Sequence, residues 1–132
     1  MRRTAGVLLA APVVLGVAGC GQPHEQDVAA VARTFYEAHS ARDGAAACGQ
    51  LAPDTRSELQ ESAGRPCAEA VVEEDVPTVA APTDIRVFGT QAEVTWEGET
   101  TFLARFQDGW KVMAAACTPQ PGAPYNCTLS GG

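Results

Sequence analysis

Few residues in this chain have side chains placed to do chemistry. Apolar residues at Val28, Val31, Ala32 and Phe35 follow one helical face. Extending that stripe by four positions brings His39 to the interior with Tyr36 beside it. An imidazole that titrates near neutrality and a phenol that can donate to a carbonyl oxygen are the elements of an acid–base pair. Such a pair also needs a carboxylate. Asp43 lies one turn beyond His39, but capping the helix that starts near Gly44 is the simpler account of it. Trp96 and Trp110 complete a candidate pocket of Tyr36, His39, Trp96 and Trp110, although aromatics at alternating positions more often build a core. No catalytic residue is assigned. Ser40, Ser57, Ser62 and Ser130 stand in no Gly-x-Ser-x-Gly context, and no glycine-rich run leads from a strand into a helix to cradle phosphate. No cofactor is expected.

The cysteines carry a different chemistry. Of the five, Cys48, Cys67, Cys117 and Cys127 form an even set, which in an exported domain reads as two disulfides. Three pairings are open. Locality favours Cys48 with Cys67 and Cys117 with Cys127, each closing a short loop. No Cys-x-x-Cys spacing is present, so the set suits neither zinc nor disulfide exchange, and no metal site is expected.

Cys20 is set apart by what precedes it. Arg2 and Arg3 form a positive start, followed by an apolar, uncharged run from Ala5 to Ala18 that contains Gly6, Pro12 and Gly16. It is shorter than the roughly 18 to 20 residues a spanning helix needs, and its layout is that of a secretion signal. Val17-Ala18-Gly19-Cys20 resembles the bacterial lipobox. That resemblance implies a signal peptide over residues 1–19 and a lipidated Cys20, with acyl chains such as palmitate holding the protein to the outer face of the cell membrane. Several acyl chains at about 0.8 kcal/mol per buried methylene would anchor it firmly.

The chain has 132 residues and a formal charge of −7, and losing the two leader arginines makes it two charges more negative. An acidic domain is a poor partner for nucleic acid. Anionic headgroups would also repel it, so attachment to the membrane falls to the lipid. The length remaining after residue 19 suits one domain. Residues 20–26 read as a polar tether and 27–132 as the folded unit, with His24 in the tether given no role.

The elements that position these residues follow from periodicity. A first helix spans 27–43, ended by Asp43-Gly44, and a second covers Ala45 to Leu51, ahead of Pro53. Thr55 and Glu58 match a capping box for a third helix ending near Gly64, and Pro66 opens a fourth. Val76 to Pro82 is a connector. Beyond it the period becomes two: Ile85 and Val87; Ala92, Val94 and Trp96; Phe102, Ala104 and Phe106; then Trp110, Val112, Ala114 and Ala116. Turns at Gly89-Thr90, Gly98-Glu99 and Asp108-Gly109 make the strands consecutive and antiparallel. The fold class is α+β, with N-terminal helices packed on the aromatic face of a curved antiparallel sheet of about four strands. The tail from Thr118 onward reads as irregular, stapled by Cys127.

This order of elements, with Asp108-Gly109-Trp110-Lys111-Val112, Cys117-Thr118-Pro119 and Pro124-Tyr125-Asn126-Cys127, resembles exported actinobacterial lipoproteins with a nuclear transport factor two-like (SnoaL-like) domain. The resemblance implies a cone-shaped domain of a superfamily holding isomerases, cyclases, dehydratases and non-catalytic modules. No catalytic Asp and His pair of that superfamily can be placed here. The expected function is therefore an extracytoplasmic binding module for an envelope protein or a small apolar ligand. The alternative is a small isomerase- or dehydratase-like enzyme using Tyr36 and His39.

Overall fold

A computed structural model describes residues 11–13 and 22–131. Its helical layer comes first: α1 (Gln22–Ser40), α2 (Gly44–Gln50), α3 (Pro53–Ala63), α4 (Cys67–Ala70) and a 3-10 turn, η1 (Val71–Glu73). Five strands follow: β1 (Asp84–Phe88), β2 (Gln91–Trp96), β3 (Glu99–Phe106), β4 (Gly109–Gln120) and β5 (Ala123–Ser130). They form one antiparallel sheet in the order β1-β2-β3-β4-β5. The protein is α+β as expected, with five strands rather than four.

The fifth strand forms where the sequence reads as an irregular tail. Cys117 and Cys127 are directly opposed partners in the β4–β5 ladder and are joined by a disulfide. Gly122 in a left-handed conformation turns the chain between them. Past Cys117 the β4 register with β3 has ended, so Pro119 lies in a two-stranded ribbon where a missing N–H is tolerated.

α1 begins at Gln22, so most of the expected tether is already helical and Asp27, the expected start of the helix, lies inside it. A proline in the first turn costs no hydrogen bond, and Glu25 there suits the positive end of the helix. The stripe is as read: Val28, Ala32 and Phe35 are fully buried. The Asp43 carboxylate accepts from Ala46 N–H at 3.1 Å, which identifies it as the α2 cap. The capping box at Thr55 does not form. Pro53 occupies the first turn of α3, and Thr55 Oγ1 donates instead to the Met113 carbonyl at 2.8 Å, tying α3 to β4.

The short α2 is held at both ends. Its last carbonyls, on Cys48 and Gly49, accept from Arg56 Nη2 at 2.8 Å and Lys111 Nζ at 2.9 Å, an arrangement suited to a helix C-terminus. Cys48 and Cys67 are bonded and fasten α2 to α4. The two helices approach so closely that a Cβ on Gly44 would land on the Ala68 carbonyl oxygen.

Helices cover one face of the sheet, and the core there includes Ala92, Val94, Trp96, Leu103, Trp110, Val112 and Leu129. The sequence assigns the wrong face of β3: Leu103 is 2% exposed, whereas Phe106 is largely open and Phe102 packs outward against Tyr125, ring centres 5.0 Å apart. The β2–β3 turn is Glu97-Gly98, so Trp96 pairs with Glu99. Placing the turn one residue later flips every following side chain. In β4 two shifts of register against β3 and a positive φ at Ala116 bring Ala115, not Ala114, into the core.

Two glycines of α2 make opposite predictions. Gly44→Ala must push α4 from α2 and should lower stability by about 1 to 3 kcal/mol, as overpacking does. Gly49 has open space around its Cβ position, so Gly49→Ala should raise stability by about 0.5 to 1 kcal/mol through helix propensity. Urea denaturation of the oxidised protein measures both; a Gly44→Ala midpoint at or above the parent's would refute the close-packing account.

Candidate functional site

The four expected pocket residues do not converge on a cavity. Tyr36, Trp96 and Trp110 are buried core residues, with Tyr36 1% exposed. Tyr36 stands edge-on to both Trp96 and Phe35, with ring centres 5.3 and 5.2 Å apart. Where the sequence suggests a cone-shaped pocket, aromatic side chains fill the space. Trp110 pairs with Arg105 near the opposite end of β3 from Glu99.

His39 is half-buried at the end of α1, and its Nε2 lies 3.1 Å from the Glu74 carbonyl oxygen. A carbonyl only accepts, so Nε2 carries the proton and donates. Among the described residues no carboxylate hydrogen-bonds the ring. The ring instead acts as a clamp, with help from its neighbours: Arg42 pairs with Glu73 at 2.8 Å and Ser40 faces Thr78 at 3.5 Å. The end of α1 thus secures the segment running from η1 into the connector.

The Tyr36 hydroxyl is the centre of a buried polar node. It accepts from Ala116 N–H at 3.2 Å and lies 2.8 Å from Thr101 Oγ1, which also accepts from the Trp96 indole at 2.9 Å. The Glu99 carboxyl lies beside this node. Burial first, and then this carboxyl, push the Tyr36 phenol well above its ordinary range. Glu99 is 6% exposed, and its Oε1 has no hydrogen-bond partner among the described residues. Burial holds its carboxyl above the ordinary value of 4.5, and the Tyr36 hydroxyl draws it partly back.

Glu99 also lines a surface cleft of about 340 Å³ with Asp75, Glu97, Ala116, Thr118 and Thr128. A second cleft, of about 370 Å³, lies between α1 and the connector, lined by Arg33, Tyr36, Glu37, Ala41, Thr78 and Val79. Tyr36 forms part of one cleft's wall while its hydroxyl serves the residues of the other. Sequence reading overlooks Glu99 because it assigns that residue to a turn. The available signal was parity: a two-residue turn at Glu97-Gly98 sets Glu99 opposite inward-facing Trp96. Cys20 lies outside the described residues, while the four remaining cysteines form the bridges Cys48–Cys67 and Cys117–Cys127.

Two variants probe the node. Tyr36→Phe strands the Ala116 N–H in the interior and should cost about 1 to 3 kcal/mol in denaturant unfolding, the penalty for an orphaned buried donor; an unchanged midpoint would show that the hydroxyl is dispensable. Glu99 binds its proton more tightly folded than unfolded, so its contribution is fully present below about pH 4.5 and is lost as pH rises through the raised folded value. Glu99→Gln removes that loss. Its melting temperature should exceed the parent's at pH 7, with the gap closing toward pH 4.5, and parallel curves across that range would contradict the linkage.

Comparison of the chain with family models, with curated proteins and with solved structures finds no match in any of the three.

Proposed function

We propose that this protein is an exported lipoprotein, anchored to the outer face of the membrane through Cys20, whose SnoaL-like α+β domain binds rather than catalyses. The observation that carries the binding reading is the filled interior: the Tyr36 hydroxyl is occupied by Thr101 and Ala116, and His39 by a backbone carbonyl. An acid–base pair needs a free proton-transfer site with a reacting atom within reach. Neither residue offers one, which leaves the enzyme alternative with no observation in its favour.

Export is supported by the two disulfides, which persist in oxidising compartments, and by the lipobox-like Val17-Ala18-Gly19-Cys20. None of the described helices is long and apolar enough to cross a membrane, so the attachment proposed rests on the acylated cysteine. The cleft between α1 and the connector, with Val79, Ala41 and the Tyr36 ring in its wall, suits a small apolar ligand or the side chain of an envelope protein.

Intact mass of protein extracted from membranes tests this reading. The expected mass lacks residues 1–19, carries the added diacylglyceryl and acyl groups, and is lighter by the hydrogens of two disulfides. Cys20→Ala should move the protein out of the membrane fraction. Recovery of the parent from culture fluid with an unmodified amino end would overturn the anchor. Loss of biological activity in His39→Ala, with the melting temperature unchanged, would revive the enzyme alternative.

A further inference from the structure

We propose that the Glu99 cleft is a binding site for a small aliphatic ammonium ion, with the Glu99 carboxylate as its buried counter-ion. The inference rests on the reading of this domain as a binder and adds a second site with its own ligand class.

Glu99 is the reason to expect a ligand. It is more than nine-tenths buried, it lines the cleft, and Oε1 is unmatched by any donor among the described residues. A carboxylate taken from water without a partner is among the costliest groups a fold can hold. Among the described residues no lysine, arginine or histidine lines this cleft. The described wall of this cleft therefore offers Glu99 no cationic partner.

The lining selects the kind of cation. Asp75 and Glu97, both exposed, add negative potential at the rim. No group of three acidic, histidine or cysteine side chains converges on one point among the described residues, as a metal ion would require. Carboxylates spread along a cleft suit an extended organic cation, its ammonium at Glu99. Pro77 and Ala116 supply apolar contact for methylenes, and the hydroxyls of Thr118 and Thr128 supply acceptors for further N–H groups. About 340 Å³ is at the lower end of small-molecule sites.

The test uses the full, oxidised, membrane-extracted protein in a neutral detergent. Putrescine and n-butylamine are titrated against it, with n-butanol and butyrate as neutral and anionic isosteres, and amide chemical shifts are followed. The amines should move Gly98, Glu99, Ala116 and Thr128 saturably; the isosteres should not. Glu99→Gln should weaken amine binding at least about tenfold, the scale of one lost charge-assisted contact, with the fold verified by melting temperature. Asp75→Asn, a rim change remote from the core, should weaken it less. Equal binding of butanol, undiminished binding to Glu99→Gln, shifts confined to the α1–connector cleft, or no response to either amine at millimolar concentration would each overturn the proposal. If Glu99→Gln does not fold, the isostere comparison and the shift map decide it on the parent. Anchoring is read from mass and amine binding from shifts, so each reading can fail without the other.

Discussion

The hydroxyl of Tyr36 is the point on which the two layers of this protein depend. It projects from α1 to reach a side chain of β3 and a backbone amide of β4, and the β3 side chain in turn takes the indole of β2. Three strands and a helix are thus registered by two oxygen atoms, the Tyr36 hydroxyl and Thr101 Oγ1. The apolar contacts around it supply most of the stabilisation, but they are tolerant of small displacements. A buried hydrogen-bond node is not, because each group left unmatched carries its full desolvation penalty. The amide it satisfies belongs to Ala116, the residue with left-handed backbone in β4. The irregularity that bends the strand also frees a donor for the helix, so bend and helix position are mutually required.

Much of this architecture was legible in the chain. The α1 stripe, the Asp43 cap, the connector, the consecutive hairpins and the local disulfides all follow from short-range chemistry that neighbouring residues largely decide. What was not legible depended on register. The β2–β3 turn is closed by Trp96 and Glu99; displacing it by one residue puts Phe102 and Ala104 inside, and the aromatic content of that face makes the wrong choice look natural. The outward Phe102 is accounted for by Tyr125 on β5, a strand that local composition hides behind Pro119, Pro121, Gly122 and Pro124. The Cys117–Cys127 bridge ties its two strands together, and composition alone does not show that the residues flanking the bridge pair as strands.

The candidate site was illegible for the same reason. Glu99 has no motif, and its significance comes from burial that the correct register imposes. The residues that do stand out, His39 and the tryptophans, stand out because their chemistry is versatile, yet in the fold each has been put to structural use. Helical spacing points His39 toward the interior, and in the fold it is half-buried. Its partner, the Glu74 carbonyl, is a backbone group 35 residues away, and no side-chain pattern announces such an acceptor.

That bond gives His39 an indirect bearing on both clefts. Glu74 is followed by Asp75 and Pro77, which line the acidic cleft, and by Thr78 and Val79, which line the other. The Glu74 carbonyl also accepts from Val76 N–H at 2.9 Å, so one oxygen fixes the start of the connector by two bonds. With Arg42 on Glu73 and Ser40 against Thr78, the last turn of α1 sets where this common wall stands. The segment has no ladder of its own to hold it, so its position relative to Glu99 and Tyr36 is inherited from a helix end. The connector is therefore a wall of both clefts, giving Thr78 and Val79 to one and Asp75 and Pro77 to the other. His39 is a positioning residue in this arrangement, and the imidazole that first suggested catalysis does its work through the backbone it holds.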